Sequence, residues 1–258
     1  MARKNLALVQ DNKTRKSTPL KVKYTDLKRI DPITQTQNDF FQLYKRKNAL
    51  LLHGSAGTGK TFIALYKALD DALGKGGPYN KVIVIRSAVP SREIGHLPGD
   101  YDEKIDVYSI PYQNMCDELL PQKQQPFQRL SEQKYLYFMC TSFVRGITLD
   151  NAIIIVDECQ NMNDMEINSI MTRVGHSSKI IFCGDYRQTD LYKSNDKSGL
   201  KKFIQIAEDM PSFGTIEFGP EDIVRSDLVK EYILARVKYE DKFENTWKNA
   251  WHLVLKSA

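Results

Sequence analysis

The run Gly54-Ser55-Ala56-Gly57-Thr58-Gly59-Lys60-Thr61 constrains this chain more than any other stretch. Its glycines deny the segment a helix or strand of its own, and their tolerance of positive φ lets successive backbone N–H groups turn into one concavity. The flanks are regular. Ala49-Leu50-Leu51-Leu52 is a short apolar run of the kind buried on both faces of a parallel sheet. From Thr61 to Leu73, Ile63, Tyr66, Leu69 and Leu73 recur at helical spacing, and Gly74 follows as a stop. A strand, a glycine-rich turn and a helix opening on Lys-Thr together make a polyphosphate cradle. Gly54, Ser55, Ala56, Gly57, Thr58 and Gly59 offer backbone donors to it, Lys60 reaches the β- and γ-phosphates, and the Thr61 hydroxyl ligates Mg²⁺.

A second buried run, Ala152-Ile153-Ile154-Ile155-Val156, ends in Asp157-Glu158. A strand of this kind delivers Asp157 to the floor of the cleft as the carboxylate partner of the metal. Glu158 beside it is suited to polarise a water for in-line attack on the γ-phosphorus, which favours hydrolysis over transfer to a small acceptor. The strand Lys179-Ile180-Ile181-Phe182-Cys183 ends at Gly184-Asp185-Tyr186-Arg187-Gln188, where Gln188 is a candidate sensor of the γ-phosphate. Upstream, Gln37 or Gln35 presents one donor and one acceptor, the pattern of an adenine edge. From the residues alone, a solvated glutamine at a helix start is the stronger reading. Arg225 stands just before a helix, where the dipole gives a cation no reason to be. It fits a stabiliser of the transferring phosphoryl group, although a surface arginine is the plainer reading.

Strands and helices alternate, which implies right-handed βαβ units and a parallel sheet. Helices are expected over Asn38–Tyr44, Asp164–Val174, Lys197–Met210 and Asp227–Lys238, with further strands at Val82–Ile85, Tyr135–Met139 and Thr215–Phe218. Ser91 to Lys134 carries Pro98, Pro111, Pro121 and Pro126 as interruptions and is too long for an idle loop. It is read as an inserted helical or irregular element at the C-terminal edge of the sheet, contacting a substrate or serving packing alone.

The 258 residues suffice for one substantial domain, and their formal net charge of +5 is unevenly spread. Arg3, Lys4, Lys13, Arg15, Lys16, Lys21, Lys23, Lys28 and Arg29 crowd the N-terminus against only Asp11 and Asp26. Such an arm can bind nucleic-acid phosphates or remain a solvated tail. Cys116, Cys140, Cys159 and Cys183 lie far apart, without metal-ligand spacing, and are read as reduced structural thiols. With no bilayer-length apolar run and no signal-peptide core, a cytoplasmic protein is expected.

The ordered motifs resemble the PhoH-like proteins, P-loop ATPases similar to the first motor domain of superfamily-1 helicases. The resemblance is carried by Thr34-x-x-Gln37, Gly54 to Thr61, Arg86-Ser87-Ala88-Val89, Leu97-Pro98-Gly99-Asp100, Arg145-Gly146-x-Thr148-Leu149 and Asp157-Glu158-Cys159-Gln160-Asn161. It continues in Thr172-Arg173-Val174-Gly175, Gly184 to Leu191, Ser198-Gly199-Leu200 and Asp222-Ile223-Val224-Arg225. It implies ATP binding and hydrolysis, with Gln37 on the adenine, Lys60 on the phosphates, Thr61 and Asp157 on Mg²⁺, Glu158 on the water and Gln188 as sensor. It also favours the functional reading of Arg225. Ser87 stands where the family has proline and Cys159 where it has alanine, and the region around Pro111-Tyr112-Gln113 diverges.

The expected fold is therefore α/β: a single RecA-like P-loop NTPase domain over 31–240, its mostly parallel sheet flanked by helices, with an irregular insert at about 91–134. A basic N-terminal arm over 1–30 precedes it and an extension over 241–258 follows. The expected function is Mg²⁺-dependent ATP hydrolysis coupled to single-stranded nucleic acid, RNA rather than DNA. The rival is a nucleotide-gated switch that binds ATP with little turnover and acts on a protein. A homo-oligomeric ring is expected, in which Arg225 completes a neighbour's site.

Overall fold

A computed structural model describes residues 21–74, 76–87, 101–185 and 199–239, for 101–106 as backbone alone. Six strands form one sheet: β1 Ala49–Gly54, β2 Lys81–Arg86, β3 Leu136–Cys140, β4 Ala152–Asp157, β5 Lys179–Gly184 and β6 Phe213–Phe218. Their order is β3-β2-β4-β5-β1-β6, and every pairing is parallel. The expected α/β class holds, and the sheet among the described residues is wholly rather than mostly parallel.

Parallel neighbours need crossovers, and the helices supply them. They are α1 Gln35–Arg46, α2 Lys60–Leu73, α3 Tyr101–Leu119, α4 Pro126–Glu132, α5 Asp164–Met171 and α6 Leu200–Glu208, followed by α7 over 227–239. Because side chains alternate along a strand, each central strand feeds two cores. Leu50, Leu52, Ile153 and Ile155 pack with α2 and α3 on one face, while Leu51, Ile154, Val156 and Phe182 pack with α5 and α6 on the other. Full burial of each such aliphatic side chain contributes about 1.5–3 kcal/mol.

The described part of the segment expected to be an insert, 101–134, carries α3 and α4 on the way from β2 to β3. α3 runs straight through Pro111, against the expectation of an interruption there. A proline inside a helix costs about 3 kcal/mol, and here the helix buries Tyr112, Cys116 and Leu119 in the core on the far side of that residue. α1 begins at Gln35, three residues before the expected start, because the Thr34 hydroxyl caps it by accepting from Gln37 N at 3.2 Å. α5 ends at Met171 rather than Val174. The basic arm up to residue 20 and the extension over 241–258 lie outside the described residues.

β1 and β4 are not neighbours: β5 lies between them. α2 packs across β2, β4 and β5, so its first turn, leaving the end of β1, reaches the end of β4. That diagonal brings Thr61 to Asp157.

Candidate active site

The glycine-rich turn is held from outside. Ser55 N donates to Phe218 O at 2.8 Å, and Val224 N donates to Gly57 O at 3.0 Å. Gly54, Gly57 and Gly59 take φ of 116°, 73° and 79°, and Gly59 is the N-cap of α2. Lys60 is buried and folds back over the turn, its Nζ donating to Gly54 O at 3.1 Å, Ser55 O at 2.7 Å and Thr58 Oγ1 at 3.3 Å. Burial lowers its pKa, while the charges of Asp185, Glu158 and Asp157 pull the other way.

At the end of β4 the two expected acids sit side by side with different partners. Asp157 is buried; its Oδ1 accepts from Thr61 Oγ1 at 2.7 Å and its Oδ2 from Tyr112 Oη at 2.7 Å. Glu158 takes a left-handed backbone, φ 51°, uncommon outside glycine. Its Oε2 accepts from Gln160 Nε2 at 2.5 Å, and Gln160 Oε1 accepts from Asp185 N at 3.1 Å, which ties the ends of β4 and β5. Burial and the neighbouring Asp157 charge raise the Glu158 pKa, against Arg86 and Lys60. A more basic carboxylate is the better proton acceptor.

Lys60, Thr61, Arg86, Asp157, Glu158 and Arg225 line one cavity of about 310 Å³. Thr61 Oγ1 and Asp157 Oδ1 are hard oxygen donors held together at its wall, a set that fits Mg²⁺, which takes few protein ligands and keeps phosphates and waters for the rest.

A second cavity of about 620 Å³ adjoins the first and shares Gly57, Gly59, Phe62, Pro111, Met115 and Arg225 with it. Gln37 lines this second space and Gln35 does not. Gln35 Nε2 instead donates to Asp39 Oδ1 at 2.8 Å on the surface. The Gln37 side chain is buried, its Oε1 accepting from Ile33 N at 3.0 Å and its Nε2 donating to Thr58 O at 3.2 Å, so it joins the start of α1 to the phosphate turn.

Arg225 lies over the phosphate turn of its own chain. A Cβ on Gly57 would lie 3.0 Å from its Cγ, and it lines both cavities. The loop after β6 carries it there, since Val224 is bonded to Gly57. Gln188 lies outside the described residues. Sequence reasoning assigned no role to Tyr112 or Arg86. Arg86 could have been found from its place at the end of a buried strand, but a lone tyrosine in a divergent helix carries no signal.

A parallel sheet with a phosphate turn after one strand, a carboxylate pair after another and a nucleotide-sized cleft across their ends defines a P-loop nucleotide-binding domain. The profile of the family described as PhoH-like protein matches residues 29–236, and the chain belongs to that family. It is 36% identical over 203 residues to a PhoH-like protein of Bacillus subtilis, covering 78% of this chain and 62% of that one. To protein PhoH of Escherichia coli it is 30% identical over 202 residues, covering 78% and 56%. The chain thus spans about three fifths of the relatives' length. Solved structures overlap it more loosely. A large terminase from a thermophilic bacteriophage, in complex with ADP, gives a TM-score of 0.46 at 14% identity over 78% of this chain and 49% of that one. The Pif1 helicase of Candida albicans gives 0.35 at 16%, over 74% and 40%. No described helix is long and apolar enough to cross a membrane.

Proposed function

We propose that the chain binds ATP with Mg²⁺ and hydrolyses it, and that turnover is coupled to single-stranded nucleic acid, RNA in preference to DNA. The observation that carries the first half is the convergence of Lys60, Thr61, Asp157 and Glu158 on one cavity beside a second that Gln37 lines. In this reading the N–H groups of Gly54 to Thr61 and the α2 dipole hold the phosphates. Lys60 exchanges its carbonyl partners for phosphate oxygens, and the adenine lies in the cavity that Gln37 borders. Thr61 and Asp157 would hold the metal. Bound there, Mg²⁺ neutralises charge on the β- and γ-phosphates.

Glu158 accepts a proton from a water as its oxygen attacks the γ-phosphorus and the bond to the bridging oxygen breaks, leaving ADP and phosphate. Arg225 reaches the phosphates bound by its own chain, and Gln188 reports whether the γ-phosphate is present. Support for nucleic acid comes from the basic N-terminal sequence, and a cytoplasmic setting accords with such a partner. A homo-oligomer remains part of the proposal, with Arg225 acting within each protomer.

The test is steady-state ATP hydrolysis with Mg²⁺, with and without single-stranded RNA or DNA, across a salt series. Stimulation by RNA that fades as salt rises is the expected result. ATP binding without turnover under every condition overturns it in favour of a nucleotide-gated switch acting on a protein.

A further inference from the structure

We propose that Tyr112 is a positioning residue for Asp157, and that through it the placement of α3 sets the affinity of the site for Mg²⁺. The inference rests on the reading of Thr61 and Asp157 as metal-binding groups.

The two oxygens of Asp157 have separate hydroxyl donors. Thr61, on α2, holds Oδ1, and Tyr112, on α3, holds Oδ2, both at 2.7 Å. Hydrogen bonds to a charged acceptor are among the stronger kind, and two of them from opposite sides fix both the rotamer and the plane of a carboxylate. Only the Thr61 side faces the phosphate turn. Tyr112 lines neither cavity and so does not touch substrate; it acts from behind through Asp157, and its hydroxyl also meets Arg86, whose side chain does line the phosphate cavity.

Its hydroxyl is not free to wander. The Tyr112 side chain is 1% exposed, its ring lies 5.3 Å from that of Phe138 on β3, and it shares the core with Cys116 and Leu119 of the same helix. A ring so enclosed moves only as the helix moves. Pro111 directly precedes it and removes one backbone donor from the helical ladder at that turn. Pro111 and Met115, one residue before and three after Tyr112, line both the phosphate and the base cavities. One turn of α3 thus touches the nucleotide's space with two side chains and the metal carboxylate with a third. A shift of that turn toward or away from a bound nucleotide must lengthen or shorten the Tyr112 contact to Asp157.

Tyr112→Phe keeps the ring and its packing and deletes the hydroxyl alone. The readout is binding of a fluorescent N-methylanthraniloyl ATP to the full chain, first in EDTA and then across a Mg²⁺ titration, so that no turnover is needed. Expected are an affinity in EDTA equal to the parent's and a Mg²⁺ half-saturation raised about fivefold or more. A half-saturation equal to the parent's overturns the proposal. If the parent itself binds nucleotide without any response to Mg²⁺, the metal reading of Thr61 and Asp157 falls, and this inference with it. Repeating the change in an Asp157→Asn background separates positioning from packing. Tyr112→Phe should then add no further loss, and a full additional fivefold loss overturns the route through Asp157.

Discussion

The Thr61 hydroxyl donates to Asp157 Oδ1 at 2.7 Å across 96 residues of sequence. The contact spans β5, and it exists because α2 crosses the sheet diagonally. If this pair holds the metal, Thr61→Ala and Asp157→Asn should each raise the Mg²⁺ concentration needed for half-maximal turnover, by about tenfold. Nucleotide binding in EDTA should survive both changes. The two losses should be less than additive in the double variant, since either one breaks the same contact. Calorimetry with and without Mg²⁺ checks this, and equal losses in EDTA would show that the pair serves the phosphate turn instead.

Gly54 closes β1 against β6. Its φ is 116°, and a Cβ there would fall 2.2 Å from Phe218 O, which is backbone already bonded to Ser55 N. Gly76 also has a positive φ, 91°, but a Cβ added to it would meet nothing within 4 Å. Gly76→Ala should therefore cost only the backbone strain, about 1–2 kcal/mol. Gly54→Ala should cost more than about 3 kcal/mol or prevent folding, because β6 must move to admit the methyl group. Urea denaturation of the two variants makes the comparison. Equal losses would mean that β6 yields easily.

Lys179 lies at the opposite end of the sheet from the nucleotide cleft. Its Nζ donates to Tyr44 O at 2.7 Å and Lys47 O at 2.5 Å, satisfying carbonyls at the end of α1, and sits 4.3 Å from the centre of the Tyr44 ring. Burial lowers its pKa from 10.5 to about 8. Between those values the unfolded chain holds the proton and the folded chain has released it. Stability thus rises with pH across that window, and the penalty of burying the cation is fully present below about 8. Against Lys179→Met, which has no such proton, the parent's melting temperature should gain ground between about pH 8 and pH 10.5. A difference that stays constant would mean the carbonyls and ring compensate for the burial.

Local chemistry was legible in the sequence and long-range placement was not. The turn from Gly54 to Thr61 and the acids after β4 announce themselves, because each is a contiguous run whose residue types serve one purpose. From the residues alone Gln37 and Gln35 could not be told apart, since their difference is one of helix face; the family resemblance pointed to Gln37, and the packing of α1 puts it against Thr58. Pro111 argued locally for a break, and the burial of Tyr112, Cys116 and Leu119 outweighed it. Tyr112 itself left no trace, because its partner is 45 residues away and belongs to another element. That Arg225 lies over the phosphate turn of its own chain was not legible either, because the bond from Val224 to Gly57 that carries it there joins segments far apart in the sequence.

That placement of Arg225 gives the sharpest separation of roles. If Glu158 is the proton acceptor, Glu158→Gln should bind ATP normally and lower turnover by about 10² or more, since the phosphate turn is left untouched. Arg225→Ala should also lower turnover, with a weaker effect on ATP affinity than Lys60→Ala. If Arg225 works within its own protomer, every site in a mixture of the Glu158→Gln and Arg225→Ala variants lacks either the base or the arginine. The mixture should then show only the sum of two low activities. If Arg225 served the next protomer, an Arg225→Ala subunit would keep its own Glu158 and receive an intact arginine from a Glu158→Gln neighbour. Mixed assemblies would then recover a substantial part of the parent's rate. Titrating one variant into the other at fixed total protein distinguishes the two outcomes, and recovery that peaks near equal amounts would place Arg225 in trans.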